Sequence, residues 1–114
     1  MSCLFNSLAA YTPGKNLRQE ICDYLSTNPE LIDGLCAADV IGIESGMGLE
    51  AYIQNMRSPS TWGGAIEIRA YCNIYKANVK VNVVATGQWI EFVHEQPERD
   101  DVRLRWTGGH YDPV

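Results

Sequence analysis

The sequence predicts an α+β domain in which helices pack on a small antiparallel sheet. Two observations lead to this prediction. Up to about residue 75 the apolar residues recur at helical spacing, whereas the rest of the chain alternates apolar and polar residues, as strands do. The chain also contains no internal repeat, linker or low-complexity segment, so we expect residues 1–114 to form a single domain.

The first two helices follow from apolar spacing and from capping residues. Residues 3–11 carry a broad apolar face, which Thr12, Pro13 and Gly14 end. Asn16 can cap a second helix while Gln19 reaches back, as in a capping box. We expect this helix to bury a stripe formed by Leu17, Ile21 and Leu25. We expect its opposite face, with Arg18, Glu20 and Asp23, to be exposed to water.

The middle of the chain gives a weaker signal, because glycines interrupt any long period. We predict a short helical turn over residues 29–35, then a loop. A short amphipathic helix follows on Leu49, Tyr52, Ile53 and Met56 and ends at Ser58 and Pro59.

The most regular stretch is TWGGAIEIRAYCNIYKANVKVNVV. It predicts a helix over residues 63–75 and a strand over residues 79–84. The segments WIEFV and VRLRW alternate in the same way, so we expect three antiparallel strands, with EQPERDD as a charged connection.

Composition excludes several classes of function. No apolar run approaches the roughly 18 residues of a membrane span, and the N-terminal residues lack the features of a signal peptide, so we expect a cytoplasmic protein with no membrane segment. The net charge of -5 and the absence of a basic cluster argue against a nucleic acid partner.

The four cysteines contain no CxxC pair and have no histidine close by in the sequence, so we predict neither a metal nor a cofactor. In a reducing compartment they are expected to be free thiols. Cys22 and Cys72 lie in helical patterns and Cys36 lies among small apolar residues, so we interpret these three as buried packing.

The two histidines lie in different settings. His94 follows the WIEFV strand, where a solvated strand-end role is expected. His110 lies in TGGHYDPV, and in an extended backbone it shares one face with Asp112. The carboxylate would then fix the tautomer of the ring and leave the other nitrogen free as a base.

Cys3 could supply a nucleophile to this pair. If a helix begins there, its unpaired amides and the positive end of its dipole favour the reactive thiolate, and a neighbouring imidazole would favour it further. The residues alone leave two interpretations open, a triad of Cys3, His110 and Asp112, or a packing thiol and an unrelated histidine.

Three blocks in order resemble the OTU (ovarian tumour) family of cysteine proteases, the deubiquitinases. SCLFNSLA is similar to the family's catalytic-cysteine helix, TWGGAIEIRAYCNIYKANVKV to its W-G-G helix and following strand, and GGHYDPV to its terminal histidine motif. The resemblance implies a papain-like OTU fold, with Cys3 as nucleophile, His110 as general base and Asp112 as the residue that orients the histidine.

The resemblance also implies the substrate. The family hydrolyses the isopeptide or peptide bond after the C-terminal glycines of ubiquitin or a ubiquitin-like modifier. An extended tail of this kind needs close backbone approach, so Gly108 and Gly109 are expected either to line its channel or to form a plain turn. We expect Trp62 to cover the core near the site and to contribute to substrate binding.

One feature departs from the family. Its D-G-x-C motif places an aspartate three positions before the cysteine, which here would precede Met1. The Cys3 amide is therefore the one oxyanion donor that can be named. We expect either a domain that starts late or a piece of a longer protein, and the short length resembles the family's compact viral members, some of them parts of polyproteins.

Three functions remain open at this level. The first is a deubiquitinating thiol hydrolase. The second is a cysteine endopeptidase that cleaves a viral polyprotein junction. The third is a ubiquitin-binding module that has lost activity, and thiol reactivity at Cys3 would separate it from the other two.

Overall fold

The computed structural model describes residues 3–114, which form five helices and six strands. The helices are α1 (Cys3–Ala9), α2 (Leu17–Ser26), α3 (Ala37–Ser45), α4 (Leu49–Met56) and α5 (Ala65–Tyr75). The strands are β1 (Glu30–Ile32), β2 (Leu35–Cys36), β3 (Val79–Val83), β4 (Gln88–Phe92), β5 (Val102–Trp106) and β6 (Tyr111–Pro113). The predicted α+β class is confirmed, but the predicted order of helices first and strands last is interrupted by β1 and β2, which lie between α2 and α3.

The main sheet has four strands in the order β4-β3-β5-β6, and it is mixed. The prediction of a fully antiparallel sheet is wrong, because β3 and β5 run parallel, with Val79 opposite Val102. Residues 93–101 cross over the beginning of β3 and are held there by Glu98, whose amide donates to the Lys76 carbonyl at 2.7 Å. The next strand therefore enters on the far side of β3 and runs in the same direction.

The second helix confirms the predicted cap but corrects one exposed residue. The Asn16 side chain accepts the Gln19 amide at 3.2 Å. Arg18, however, is only 9% exposed, with its guanidinium 4.4 Å from the centre of the Phe5 ring and a hydrogen bond to the Met56 carbonyl at 2.8 Å. A planar cation on a long apolar stem can be buried when its guanidinium group stacks on a ring and donates hydrogen bonds. The prediction that the charge of Arg18 keeps it exposed is therefore wrong.

The predicted helical turn and loop between residues 29 and 48 are wrong. A β1-β2 hairpin occupies the first part, turning at Gly34, which has a φ of 81°, and α3 follows at once. Cys36 precedes α3 as its N-cap and is half-buried, with its Sγ 3.2 Å from Asp39 Oδ2. The interpretation of Cys36 as a buried packing residue is therefore also wrong.

The core lies between the helices and one face of the sheet. Its fully buried side chains come from α1, α2, α3, α5, β3 and β5 and include Leu4, Leu8, Ile21, Leu25, Ile41, Tyr71, Val79 and Leu104. Among residues 3–114, no helix combines the length and the apolar character needed to cross a bilayer. The core fixes α1 and β6 at one side of the domain, where α1 also contacts β5.

Candidate active site

The predicted nucleophile, Cys3, is half-buried and is the first residue of α1. The neighbour of this helix in space is β6, near the other end of the chain. The Ser7 hydroxyl lies 2.7 Å from the Cys3 carbonyl oxygen and 2.9 Å from the Tyr111 carbonyl oxygen. Burial raises the pKa of the Tyr111 phenol, and the Cys3 thiol contributes to the same shift. The folded chain thus brings Cys3 beside the strand that follows His110.

His110 and Asp112 are in direct contact. The Nε2 atom of His110 lies 3.0 Å from Asp112 Oδ1, and both side chains are about half exposed. A carboxylate accepts a hydrogen bond from the Nε2–H group, so in the neutral ring Nδ1 carries the free lone pair. This arrangement can hold an imidazole in one tautomer with a basic nitrogen available.

Other thiols and the second histidine differ from this pair. Burial raises the pKa of the Cys22 thiol above its ordinary value, and it raises the pKa of the Cys72 thiol to about 11. Both thiols therefore stay protonated at neutral pH. His94 is half-buried rather than solvated, and its Nδ1 atom accepts the Gln96 amide at 3.0 Å. Within residues 3–114, no cluster of three or more histidine, cysteine and acidic side chains is placed to hold a metal ion.

The loop before β6 carries two glycines in the left-handed region, Gly108 with a φ of 83° and Gly109 with a φ of 118°. A Cβ atom on Gly109 would lie 2.8 Å from Cζ3 of Trp62, whereas one on Gly108 would meet no atom within 4 Å. The Trp62 ring therefore rests against the Gly109 backbone. It is 53% exposed, so the expectation that it covers the core is wrong, because its contact is with this loop.

The neighbouring Gly63 makes a second close contact. A Cβ atom there would lie 2.8 Å from Leu4 Cδ2 and 3.1 Å from the Phe5 ring. The turn of residues 61–64 thus contacts α1 on one side and the glycine loop on the other. Three segments that are distant in the sequence meet here because glycines allow the backbones to approach closely.

A buried carboxylate, which the sequence analysis missed, supports this turn. Glu67 is 1% exposed and accepts the Gly64 amide at 2.7 Å and the Tyr52 hydroxyl at 2.6 Å. Burial raises the pKa of Glu67, although both hydrogen bonds and the charge of Arg18 oppose the shift. The signal available in the sequence was an acidic residue three positions after the helix N-cap, as in a capping box.

The sequence matches the family described as OTU-like cysteine protease over residues 2–111. The chain belongs to this family. Ubiquitin thioesterase OTU1 of Gallus gallus is 30% identical over 121 residues, which cover 99% of this chain and 37% of that protein. The Dictyostelium discoideum protein of the same name is 27% identical, with 99% and 34% covered. The chain therefore spans about a third of the length of these curated relatives.

Two solved structures share the OTU fold with this chain. An ovarian tumour (OTU) domain in complex with ubiquitin has a TM-score of 0.77 and 21% identity, covering 98% of this chain and 62% of that one. The OTUD1 OTU domain has a TM-score of 0.73 and 18% identity, with 98% and 77% covered. The expectation of a papain-like OTU fold is confirmed.

Beside the W-G-G turn of this OTU domain lies an open groove of about 320 Å³. One wall is the turn itself, including Trp62, Gly63 and Gly64, and the other comes from α4 and the segment before it. The nonpolar lining residues include Met47, Met56 and Ile66. Such a groove can take an extended segment with an apolar side chain.

Proposed function

We propose that this OTU domain is a thiol-dependent deubiquitinase, which hydrolyses the bond after the C-terminal glycines of ubiquitin or a ubiquitin-like modifier. Family membership and the names of the relatives support this activity. The observation that carries the proposal is the contact of 3.0 Å between His110 Nε2 and Asp112 Oδ1, in a segment that packs on the helix of Cys3.

In the proposed reaction, His110 takes the proton of the Cys3 thiol, and the thiolate attacks the carbonyl carbon of the scissile bond. The C–N bond then breaks, and the imidazolium gives its proton to the leaving amine. Water attacks the resulting thioester while His110 removes its proton, which releases the ubiquitin carboxylate and restores the Cys3 thiol. Asp112 holds the imidazole in the tautomer that leaves Nδ1 free.

The charge that develops on the substrate oxygen needs hydrogen-bond donors. The Cys3 backbone amide is the donor that we propose for this oxygen. Because an oxyanion hole acts on the tetrahedral intermediates, its donors contribute to both the acylation and the hydrolysis step.

We further propose that the glycine loop and Trp62 bind the substrate tail. A tail that ends in two glycines can pass where side chains leave little room, and Gly108 and Gly109 present bare backbone to it. Trp62 closes one side of this passage by its contact with Gly109. The groove beside it would take an apolar side chain farther along the tail.

We propose the cytoplasm as the place of this activity. The four cysteines of the sequence are Cys3, Cys22, Cys36 and Cys72, and all four are free thiols. A nucleophilic thiol survives best in a reducing compartment.

The decisive experiment uses a ubiquitin probe with a C-terminal thiol-reactive group. We expect a covalent adduct with the wild-type chain and none with Cys3→Ala, because the thiolate is the attacking group. Cys36→Ala is the matched control, since Cys36 is the other half-buried thiol of the structure, and this variant should react like the wild type. Equal adducts from wild type and Cys3→Ala would contradict the proposal.

The other two functions give different results in the same assay. Cleavage of a short polyprotein junction peptide without a ubiquitin adduct would favour the processing endopeptidase. Measurable ubiquitin affinity with an unreactive Cys3 would favour the binding module. Thermal unfolding of each variant shows whether a missing adduct reflects a loss of the fold.

A further inference from the structure

Ser7 is a buried polar residue that the proposed reaction does not use. It lies one helical turn after Cys3 in α1 and is 2% exposed. Its Oγ atom lies 2.7 Å from the Cys3 carbonyl oxygen and 2.9 Å from the Tyr111 carbonyl oxygen. One hydroxyl thus contacts the backbone of both segments that carry the proposed catalytic residues.

The pairing of β5 and β6 explains why the Tyr111 carbonyl needs this donor. The Thr107 amide donates to the His110 carbonyl at 3.0 Å, so these two residues form a hydrogen-bonded pair. Such pairs alternate in an antiparallel ladder, and Tyr111, opposite Trp106, falls in a non-hydrogen-bonded pair. Its carbonyl therefore points away from β5, across the outer edge of the sheet and towards α1.

The other acceptor, the Cys3 carbonyl, gains less from a hydrogen bond with the Ser7 hydroxyl. In an α-helix the Cys3 carbonyl receives the backbone amide of the residue four positions later, which is Ser7 itself. A hydroxyl carries one proton, and the edge carbonyl of Tyr111 gains more from it than a carbonyl that already has a helical partner.

We propose that Ser7 is a positioning residue for the catalytic centre. Tyr111 lies between His110 and Asp112 in the sequence, so fixing its carbonyl fixes the segment from which both side chains project. The same hydroxyl contacts the carbonyl of Cys3, so it sets the separation of nucleophile and base. This inference rests on the proposed function, in which Cys3, His110 and Asp112 form the catalytic centre.

Tyr11 provides a matched control. Its hydroxyl lies 2.9 Å from the Arg103 carbonyl oxygen and 3.1 Å from the Val114 carbonyl oxygen, so it connects the α1 region to β5 and to the residue after β6. Tyr11 lies in the turn after α1, two positions beyond Ala9, where that helix ends. Tyr11→Phe therefore removes a hydroxyl contact between the α1 region and the sheet that involves neither the Cys3 carbonyl nor the Tyr111 carbonyl.

The test compares wild type, Ser7→Ala, Ser7→Thr and Tyr11→Phe on a fluorogenic substrate made from the ubiquitin C-terminus. We expect Ser7→Ala to lower kcat about 10- to 100-fold while KM changes by about twofold or less, because misplaced groups affect the chemical step. Ser7→Thr keeps the hydroxyl and should recover part of the loss. Tyr11→Phe should stay within about threefold of wild type in kcat.

A second measurement does not need ubiquitin. Iodoacetamide labelling of Cys3, followed by peptide mass spectrometry at several pH values, should show a weaker reaction in Ser7→Ala at mildly acid pH, where a thiolate needs an imidazolium partner. Equal labelling and turnover in Ser7→Ala and wild type would overturn the proposal for Ser7 alone, and so would equal losses in Ser7→Ala and Tyr11→Phe. A wild-type chain whose Cys3 is unreactive would overturn the proposed function together with this inference.

Discussion

Glu67 and Asp112 are two carboxylates of the candidate active site region that differ in their exposure and in their hydrogen-bond partners. Glu67 is 1% exposed and accepts two hydrogen bonds, from Gly64 and Tyr52. The Asp112 side chain is 47% exposed and contacts the His110 ring. The buried group fixes a turn of the backbone, whereas the exposed group contacts the side chain that we propose as the general base.

The difference in burial suggests different roles for the two carboxylates, one in stabilising the backbone and one in orienting the histidine ring. A buried carboxylate with firm partners makes the W-G-G turn rigid, and that turn contacts both α1 and the glycine loop. A solvated carboxylate can orient a ring at a low desolvation cost. We therefore expect changes at Glu67 to lower stability first, and changes at Asp112 to lower activity with stability unchanged.

The largest expected effect tests the activity side of this comparison. Asp112→Ala should lower kcat about a hundredfold, because the His110 ring loses the acceptor that fixes its tautomer. Asp112→Asn keeps an oxygen that can accept from Nε2 and should retain most of the activity. The check is turnover of the ubiquitin substrate beside thermal unfolding. A Tm of Asp112→Ala well below that of wild type would show that the two carboxylates do not divide their roles in this way.

The second prediction tests the stability side. Glu67→Ala should lower the free energy of unfolding by about 2–4 kcal/mol, because the Gly64 amide and the Tyr52 hydroxyl lose their acceptor and a cavity remains. Urea unfolding measures this change. Glu50→Ala is the matched control, since Glu50 is an exposed acidic residue in the first turn of α4. Similar losses in the two variants would contradict the role of Glu67.

Glu67 also predicts a pH dependence. Burial raises its pKa in the folded chain, so the folded state keeps this proton to a higher pH than the unfolded state does. Its protonation therefore contributes fully to the free energy of unfolding below the ordinary glutamate pKa. That contribution is lost as the pH rises through the pKa of Glu67 in the folded state. Glu67→Gln carries no such proton, so the stability of wild type relative to this variant should fall with rising pH.

The smallest effect concerns the glycine loop. Gly109→Ala should lower kcat/KM about tenfold, because the new methyl group meets Trp62 and the φ of 118° is strained for alanine. Gly108→Ala adds strain without a contact, so it isolates the contribution of the tryptophan. The double variant with Trp62→Ala should recover part of the loss, and strict additivity would argue against the contact.

The sequence predicted those elements that are long enough for a helical or alternating pattern of apolar residues to be recognised. The α1, α2, α4 and α5 helices and the β3, β4 and β5 strands lie close to the expected positions. The β1-β2 hairpin was missed because its strands have three and two residues, too few for an alternation to be recognised. The parallel pairing of β3 and β5 depends on the path of the crossing segment, which local patterns do not record.

The parts of the site could be predicted to different degrees. The contact of His110 with Asp112 agrees with the alternation of side chains along an extended backbone. Ser7, Glu67 and the position of Trp62 could not be predicted in the same way, because each depends on a partner from a distant segment. The pattern of apolar residues within a segment indicates which face is buried, but it does not indicate which distant segment packs against that face.

The meeting of α1, the W-G-G turn and β6 has a consequence for folding. The proposed nucleophile lies near the beginning of the chain and the proposed base near its end, so the contacts between them have high sequence separation. Contacts of this kind form late, because the entropy of closing a long loop opposes them. During synthesis Cys3 is made before His110. The proposed nucleophile can therefore meet the proposed base only after β6 has been made, and we expect a chain that stops before β6 to lack the proposed activity.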